Sequence, residues 1–260
     1  MAQRLTIHIK IEFMSFAKWI GAGIGWTFGG PIGAIIGFAA ASLFDGVAVN
    51  KEFQKSTYSS GHTSRPRTQS GDFEVSLLVL ASVVIKSDGK QDQRELDFVR
   101  KQFVSMYGRD RSNHAFKLFK EINKQEISKR AVCLQIKQMM SHASRLQLLH
   151  FLFGISAADG HVHSKEIETI KIISNYLGIS LNDFESIKAM FISDKVSVYK
   201  ILEVDPKATN DEIKKAYRKM VKKYHPDKVI HLGKEHQKGA QEKFRQVQEA
   251  YEQLQNERGL

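Results

Sequence analysis

Residues 209–227 read Thr-Asn-Asp-Glu-Ile-Lys-Lys-Ala-Tyr-Arg-Lys-Met-Val-Lys-Lys-Tyr-His-Pro-Asp, and the C-terminal third of the chain is organised around them. At 100° per residue, Ile213, Ala216, Tyr217, Met220 and Tyr224 fall in one narrow arc. Lys214, Lys215, Arg218, Lys219, Lys222 and Lys223 fill most of the remaining circumference without an intervening acid. One face is built to pack and the other is strongly cationic. Thr209 with Glu212 three residues later forms a capping box, so the helix start is locally specified. Pro226 disfavours the α conformation at His225, so the chain should turn where His225 and Asp227 are presented.

Outward from this helix, the spacing predicts a short helix around Val198 to Leu202, ending before Asp205-Pro206. A third helix is predicted from about Ala240 to Gln255, with Phe244, Val247, Ala250, Tyr251 and Leu254 on one face. Two apolar faces joined by a loop of about fourteen residues should pack as an antiparallel hairpin, with Tyr199 and Leu202 covering one end.

These residues resemble a J-domain of the DnaJ type. The resemblance is carried by Tyr199-Lys200-Ile201-Leu202, Ala208-Thr209, Glu212 to Lys219, Lys223 to Lys228, Phe244, Glu249-Ala250-Tyr251 and Leu254. Glu203 departs from it, standing where a glycine is usual; Met220-Val221 replace the common Leu-Ala, and the loop after Lys228 is somewhat long. The resemblance implies a cochaperone that docks on a DnaK-type ATPase and stimulates ATP hydrolysis. It assigns the trigger to His225, Pro226 and Asp227, and the docking face to Lys214, Lys215, Arg218, Lys219 and Lys222. Exposed cations steer an acidic partner, and a rigid turn gives a geometry-dependent contact. No second catalytic group near His225 completes an acid/base pair, so the reading is of a binding protein, not an enzyme, and no cofactor is called for.

Upstream, candidate helices cover about 73–86, 92–107, 111–122, 126–140, 143–157, 164–177 and 181–192. Ser87-Asp88-Gly89 with Glu95 is matched by Ala158-Asp159-Gly160 with Glu166, 71 residues on. The glycine supplies a left-handed turn, the aspartate accepts backbone donors, and the glutamate opens the next helix. Asp88 with Glu95, or Asp159 with Glu166, could instead share a cation, although neither loop has a calcium-loop pattern. This all-helical stretch with its repeated Asp-Gly-(five residues)-Glu pattern resembles the TerB-like, tellurite-resistance-associated family. That implies a compact helical bundle in which acidic positions are candidate metal ligands.

Near the N-terminus, Thr6 to Phe13 alternate like a short strand with no partner strand nearby, and either Met1 or Met14 fits as the start. From Ile20 to Phe44 no side chain is charged. As one helix this run would reach about 37 Å, against a hydrocarbon core of roughly 30 Å. Gly21, Gly25, Gly29, Gly33 and Gly37 recur every four residues, a spacing that lets a second helix approach closely and makes homo-oligomers conceivable. Gly29-Gly30-Pro31 should kink or break the segment. A spanning helix, a hairpin of two half-helices and a buried glycine-rich element of a soluble protein all fit these letters; a membrane segment explains the glycines best. Residues 54–71, rich in Ser, Thr, Gly and Gln, read as a tether.

The net charge of +11 is spread evenly: +3 over residues 1–72, +4 over 73–197 and +4 over 198–260. A nucleic-acid arm would show a block of charge, and none is present. The single cysteine, Cys133, excludes an internal disulfide and a four-cysteine zinc module. The expected plan is all-α: an extension (1–19), a glycine-zipper membrane segment (20–45), a linker (46–72), a TerB-like domain (73–195) and a J-domain (196–260). That order resembles the membrane-anchored DjlA type of bacterial J-protein. It implies a tether at the bacterial inner membrane, both folded domains in the cytoplasm, and unfolded or membrane-proximal clients selected by the TerB-like domain. The alternative is a metal- or stress-responsive membrane-associated binding protein in which the J-domain is secondary.

Overall fold

A computed structural model describes residues 29–43, 70–87, 89, 92–160, 162–192, 197–232 and 234–259. The expected strand at Thr6 to Phe13, the glycines Gly21 and Gly25, nearly all of the tether, and Asp88 lie outside the described residues. Within them the regular structure is helical, with no strand. The elements are α1 (29–43), α2 (Ser70–Ile85), α3 (Gln93–Asn123), α4 (Lys129–Met139), α5 (His142–Ser156), α6 (Ser164–Tyr176), α7 (Leu181–Ala189), α8 (Ser197–Ile201), α9 (Asn210–Tyr224), a 3-10 turn (Pro226–Leu232) and α10 (Lys234–Arg258).

The bundle is built on α2 and α5, the helices whose sequences are apolar nearly all round. Leu77, Leu78, Val79, Leu80, Ala81, Val84 and Ile85 of α2 are buried, as are Leu146, Leu148, Leu149, Leu152, Phe153 and Ile155 of α5. A helix apolar on every side is stable only when neighbours enclose it, and α3, α4, α6 and α7 supply their inner faces for this. They contribute Phe103, Phe119, Ile136, Ile170, Ile173, Phe184 and Ile187, all essentially buried, with the Phe153 and Phe184 rings 5.5 Å apart. Each such side chain contributes about 1.5–3 kcal/mol of apolar transfer.

Helix starts follow the caps. Asp92, Ser128, Ser141 and Ser180 accept from backbone N–H groups of the first turns of α3, α4, α5 and α7. The two helices expected over 92–107 and 111–122 run on as α3, broken only at Gly108 (φ 76°, ψ 171°). Helix α7 stops at Ala189, short of the expected Ile192.

The C-terminal hairpin pairs α9 with α10, and Tyr217 stacks on Tyr251 at 4.0 Å between centroids and 7° between planes. Helix α10 is longer than its apolar pattern announces. It begins at Lys234 rather than Ala240, and the 3-10 turn Pro226–Leu232 occupies half of the expected loop, pinned by buried Val229 and Leu232. Residues 234–239 carry no apolar side chain to register a helical period, so the pattern is silent there. At the far end Arg258 stretches the helix past Gln255. It donates to the Ala208 carbonyl at 2.6 Å and to the Pro206 carbonyl, and lies over the Tyr199 ring at 5.2 Å.

The hairpin does not hang free of the bundle. Helix α7 packs on α8, α10 reaches α3 and α5, and the 3-10 turn lies against α5 and α2, so one apolar core runs through both parts.

Candidate functional site: an exposed turn and the buried network behind it

At the end of α9 the His225-Pro226-Asp227 turn faces solvent, with His225 and Asp227 side chains 48% and 76% exposed. His225 leaves the helix at φ −56°, ψ 130°, the extended region that a following proline enforces. The turn is held locally. The Lys228 N–H donates to the His225 carbonyl at 3.0 Å, and the Asp227 N–H donates to His225 Nδ1 at 3.3 Å. The edge of the ring meets Phe244 of α10 at 5.8 Å and 75°, which fixes the imidazole to the hairpin. The Asp227 carboxylate lies 3.5 Å from Nδ1, so the two side chains are presented together, as the turn at Pro226 implies.

Of the six cations of α9, Lys215, Arg218, Lys219 and Lys222 are exposed and Lys214 is half-buried. Lys219 is tied to Glu203 at 3.0 Å while staying 65% exposed. Lys223 does not belong to this face. It turns inward and bridges Glu203, in the connector before α9, and Asp183 of α7, so a residue read as part of a solvent-facing stripe is a largely enclosed cation between the hairpin and the bundle. Helical angle alone could not show this, because the second partner comes from forty residues upstream.

Glu203 is the one described non-glycine residue at positive φ (54°). This is the position where the sequence departs from the usual glycine. The left-handed conformation costs about 1 kcal/mol or more for a side chain with a Cβ, and two lysine partners offset it. Asp183 is the other anion of the network. Burial opposes its ionisation, but hydrogen bonds from His142 (3.4 Å), Lys223 and Ser180 (2.7 Å) outweigh that and hold its carboxyl well below the usual range.

Around this network the interface also buries polar groups. Lys243 of α10, 3% exposed, donates to Gln147 Oε1 at 3.1 Å and lies over the Tyr224 ring at 5.0 Å. Burial pushes its ammonium down to about 7. His150 Nε2 lies 3.2 Å from Gln246 Oε1, its ring packs on Phe191, and burial together with the Lys243 charge pushes it down to about 3. Ser186 donates to the Ile201 carbonyl at 2.8 Å, and Ser144 meets His231 at 3.2 Å. None of these pairings is visible in the sequence, since each joins residues at least fifteen positions apart.

The described parts of the two acidic turns lie at helix starts. Gly89 and Gly160 both lie at positive φ (79° and 93°), as the turn requires. Glu166, buried, accepts from the His163 N–H at 3.0 Å and closes the start of α6. Asp159 lies 3.7 Å from Arg94 and 3.5 Å from His163, so the second turn is bound to the start of the helix that follows the first. Glu95 is buried in the first turn of α3. Among the described residues no three His, Cys, Asp or Glu side chains converge as a metal cluster. Of the glycine series, Gly29, Gly33 and Gly37 lie on α1. Among the described residues no helix is long and apolar enough to cross a membrane.

Comparison with known proteins divides the chain into three parts. Residues 197–259 match the DnaJ domain family, residues 74–189 the family of the tellurite resistance protein TerB, and residues 14–62 the co-chaperone DjlA transmembrane domain. Residues 74–189 thus form a TerB domain and residues 197–259 a J-domain. Along nearly its whole length it is similar to the co-chaperone protein DjlA: 26% identical to that of Coxiella burnetii over 94% of this chain and 98% of the relative, and 23% identical to that of Haemophilus influenzae over 93% and 97%. The J-domain alone is 61% identical over 59 residues to the chaperone protein DnaJ of Lactococcus lactis, covering 23% of this chain and 14% of that protein. No solved structure matches.

Proposed function

We propose that the chain is a membrane-tethered cochaperone that stimulates ATP hydrolysis by a DnaK-type chaperone and brings it to clients selected by the TerB domain. The reading rests chiefly on one observation: docking of the hairpin on the TerB domain consumes Lys223, Tyr224 and Lys243 but leaves His225, Asp227 and most of the basic face open. Pro226, Asp227 and His225 form the trigger, and Lys214, Lys215, Arg218, Lys219 and Lys222 steer the acidic partner. The chain itself does no catalysis in this account. The match of residues 14–62 to a transmembrane domain supports the tether, and the two folded domains then face the cytoplasm, where the chaperone is. Single-turnover ATP hydrolysis by the chaperone tests the reading. Wild-type chain should accelerate it, and His225→Gln should not, with helical content and melting unchanged.

The metal-responsive alternative gains no support from the acidic turns, whose described carboxylates have structural partners. Titration of the chain with divalent cations, with Asp159→Asn as control, checks this; an Asp159-dependent bound ion would restore the alternative.

A further inference from the structure

Helix α1 lies against the TerB domain although it falls inside the stretch that matches a transmembrane domain. Ile32, Ile36 and Ala39, 6%, 9% and 0% exposed, recur at i, i+4 and i+7 and enter the same core as the bundle. Polar contacts complete the seat. Gln135 of α4 accepts from the Ile32 N–H at 2.9 Å and donates to the Gly29 carbonyl at 2.6 Å. Gln125, in the connector before α4, donates to the Ile35 carbonyl at 3.2 Å, and its own carbonyl is held by Lys86 at 2.7 Å.

The chemistry of the seat is that of a receptor for helices. The first N–H groups of any helix lack intrahelical partners, and a primary amide can satisfy one while donating to a neighbouring carbonyl. These contacts read backbone, not side chains, so they tolerate many sequences. Selectivity comes from the apolar notch, which admits two branched side chains and demands a small residue where Ala39 is fully enclosed.

We propose that this notch, lined by Gln125 and Gln135, binds apolar, small-residue helices of membrane-protein clients, and that α1 occupies it in cis as a stand-in. The inference rests on the tethered-cochaperone reading above. The Ile32, Ile36 and Ala39 face cannot meet acyl chains and the notch at once, so entry of α1 into a bilayer empties the notch at a membrane surface. The helices of matching composition found there are those of membrane proteins that have not reached their place in the bilayer.

A synthetic peptide with the sequence of residues 29–43 and a benzophenone at one end tests this on the full-length chain. The chain is presented either bound to phosphatidylethanolamine–phosphatidylglycerol vesicles or free in buffer. Vesicle-bound chain should photo-cross-link the peptide within residues 125–135, several-fold more than chain in buffer, where α1 competes. Peptides carrying Ile36→Asp or Ala39→Leu should lose capture, and since these changes leave the chain untouched, misfolding cannot mimic the result. Equal capture of the Ala39→Leu peptide, no capture by vesicle-bound chain, or capture elsewhere overturns the proposal. An adduct between two chains through α1 would make the notch a self-association site and overturn it equally. If the chain fails to float with vesicles, the tether reading falls; excess peptide in buffer then decides the notch, by capture within 125–135 or its absence.

Discussion

Glu203 shows how a single residue carries information the pattern around it does not. It occupies a left-handed position, and its carboxylate is almost fully enclosed between Lys219 and Lys223. Two opposing effects are therefore separable by mutation. Glu203→Ala keeps the strained backbone and removes the anion, and should cost about 2 kcal/mol, less than the roughly 3–5 kcal/mol of a fully broken buried pair because Lys223 retains Asp183 and Lys219 is exposed. Glu203→Gly removes the anion and the strain together, and should be about 1 kcal/mol more stable than the alanine variant. Thermal melting of the three proteins gives the order directly: wild type, then glycine, then alanine. Glu203 was legible in the sequence as a departure from a J-domain, but what the departure does was not, because Asp183 and Lys223 meet only after the two domains fold together. The trigger is the contrary case. The conformations of His225 and Pro226 are set by their immediate neighbours, so the turn could be read letter by letter.

Among the elements, α9 is the most fully specified by its own sequence. The capping box forms as expected, with the Glu212 N–H donating to Thr209 Oγ1 at 3.3 Å and the Thr209 N–H to Glu212 Oε2 at 2.7 Å. Ile213, Met220 and Tyr224 are buried on one side. The exposed cations on the other side have a kinetic role in this account. Replacing Lys214, Lys215, Arg218 and Lys222 by glutamine should slow association with the chaperone on the order of tenfold at low salt. The difference should shrink as salt rises, because screening already removes the steering from the wild type. Surface plasmon resonance across a salt series checks this. Helix α10 was less legible, since its first turns carry no apolar residue and its last turn is set by Arg258 reaching back to Pro206 and Ala208. Helix α1 was the least legible: a charge-free stretch reads alike whether lipid or protein encloses it, and only the two glutamines beyond residue 120 distinguish the cases.

For the molecule as a whole, the buried interface predicts acid sensitivity. His150 and Lys243 have folded values below their ordinary ones, about 3 against 6.5 and about 7 against 10.5, so the folded state binds fewer protons than the unfolded. Stability should therefore rise with pH from 3 to 6.5 through His150 and from 7 to 10.5 through Lys243. Asp183, depressed below 3.8, acts in the same sense: its contribution is present above that value and is lost in acid. Melting temperature should fall as pH is lowered from 7 to 4, and His150→Phe, which keeps an aromatic ring against Phe191, should flatten that fall. Fractionation addresses the N-terminal region: full-length chain should sediment with membranes and residues 46–260 should stay in the supernatant. The central claim is that the exposed turn acts on a DnaK-type ATPase. Single-turnover hydrolysis of ATP by that chaperone, with full-length chain added as wild type or as His225→Gln, tests it most directly. The account predicts acceleration by the wild type and none by the variant; equal rates with both would contradict it.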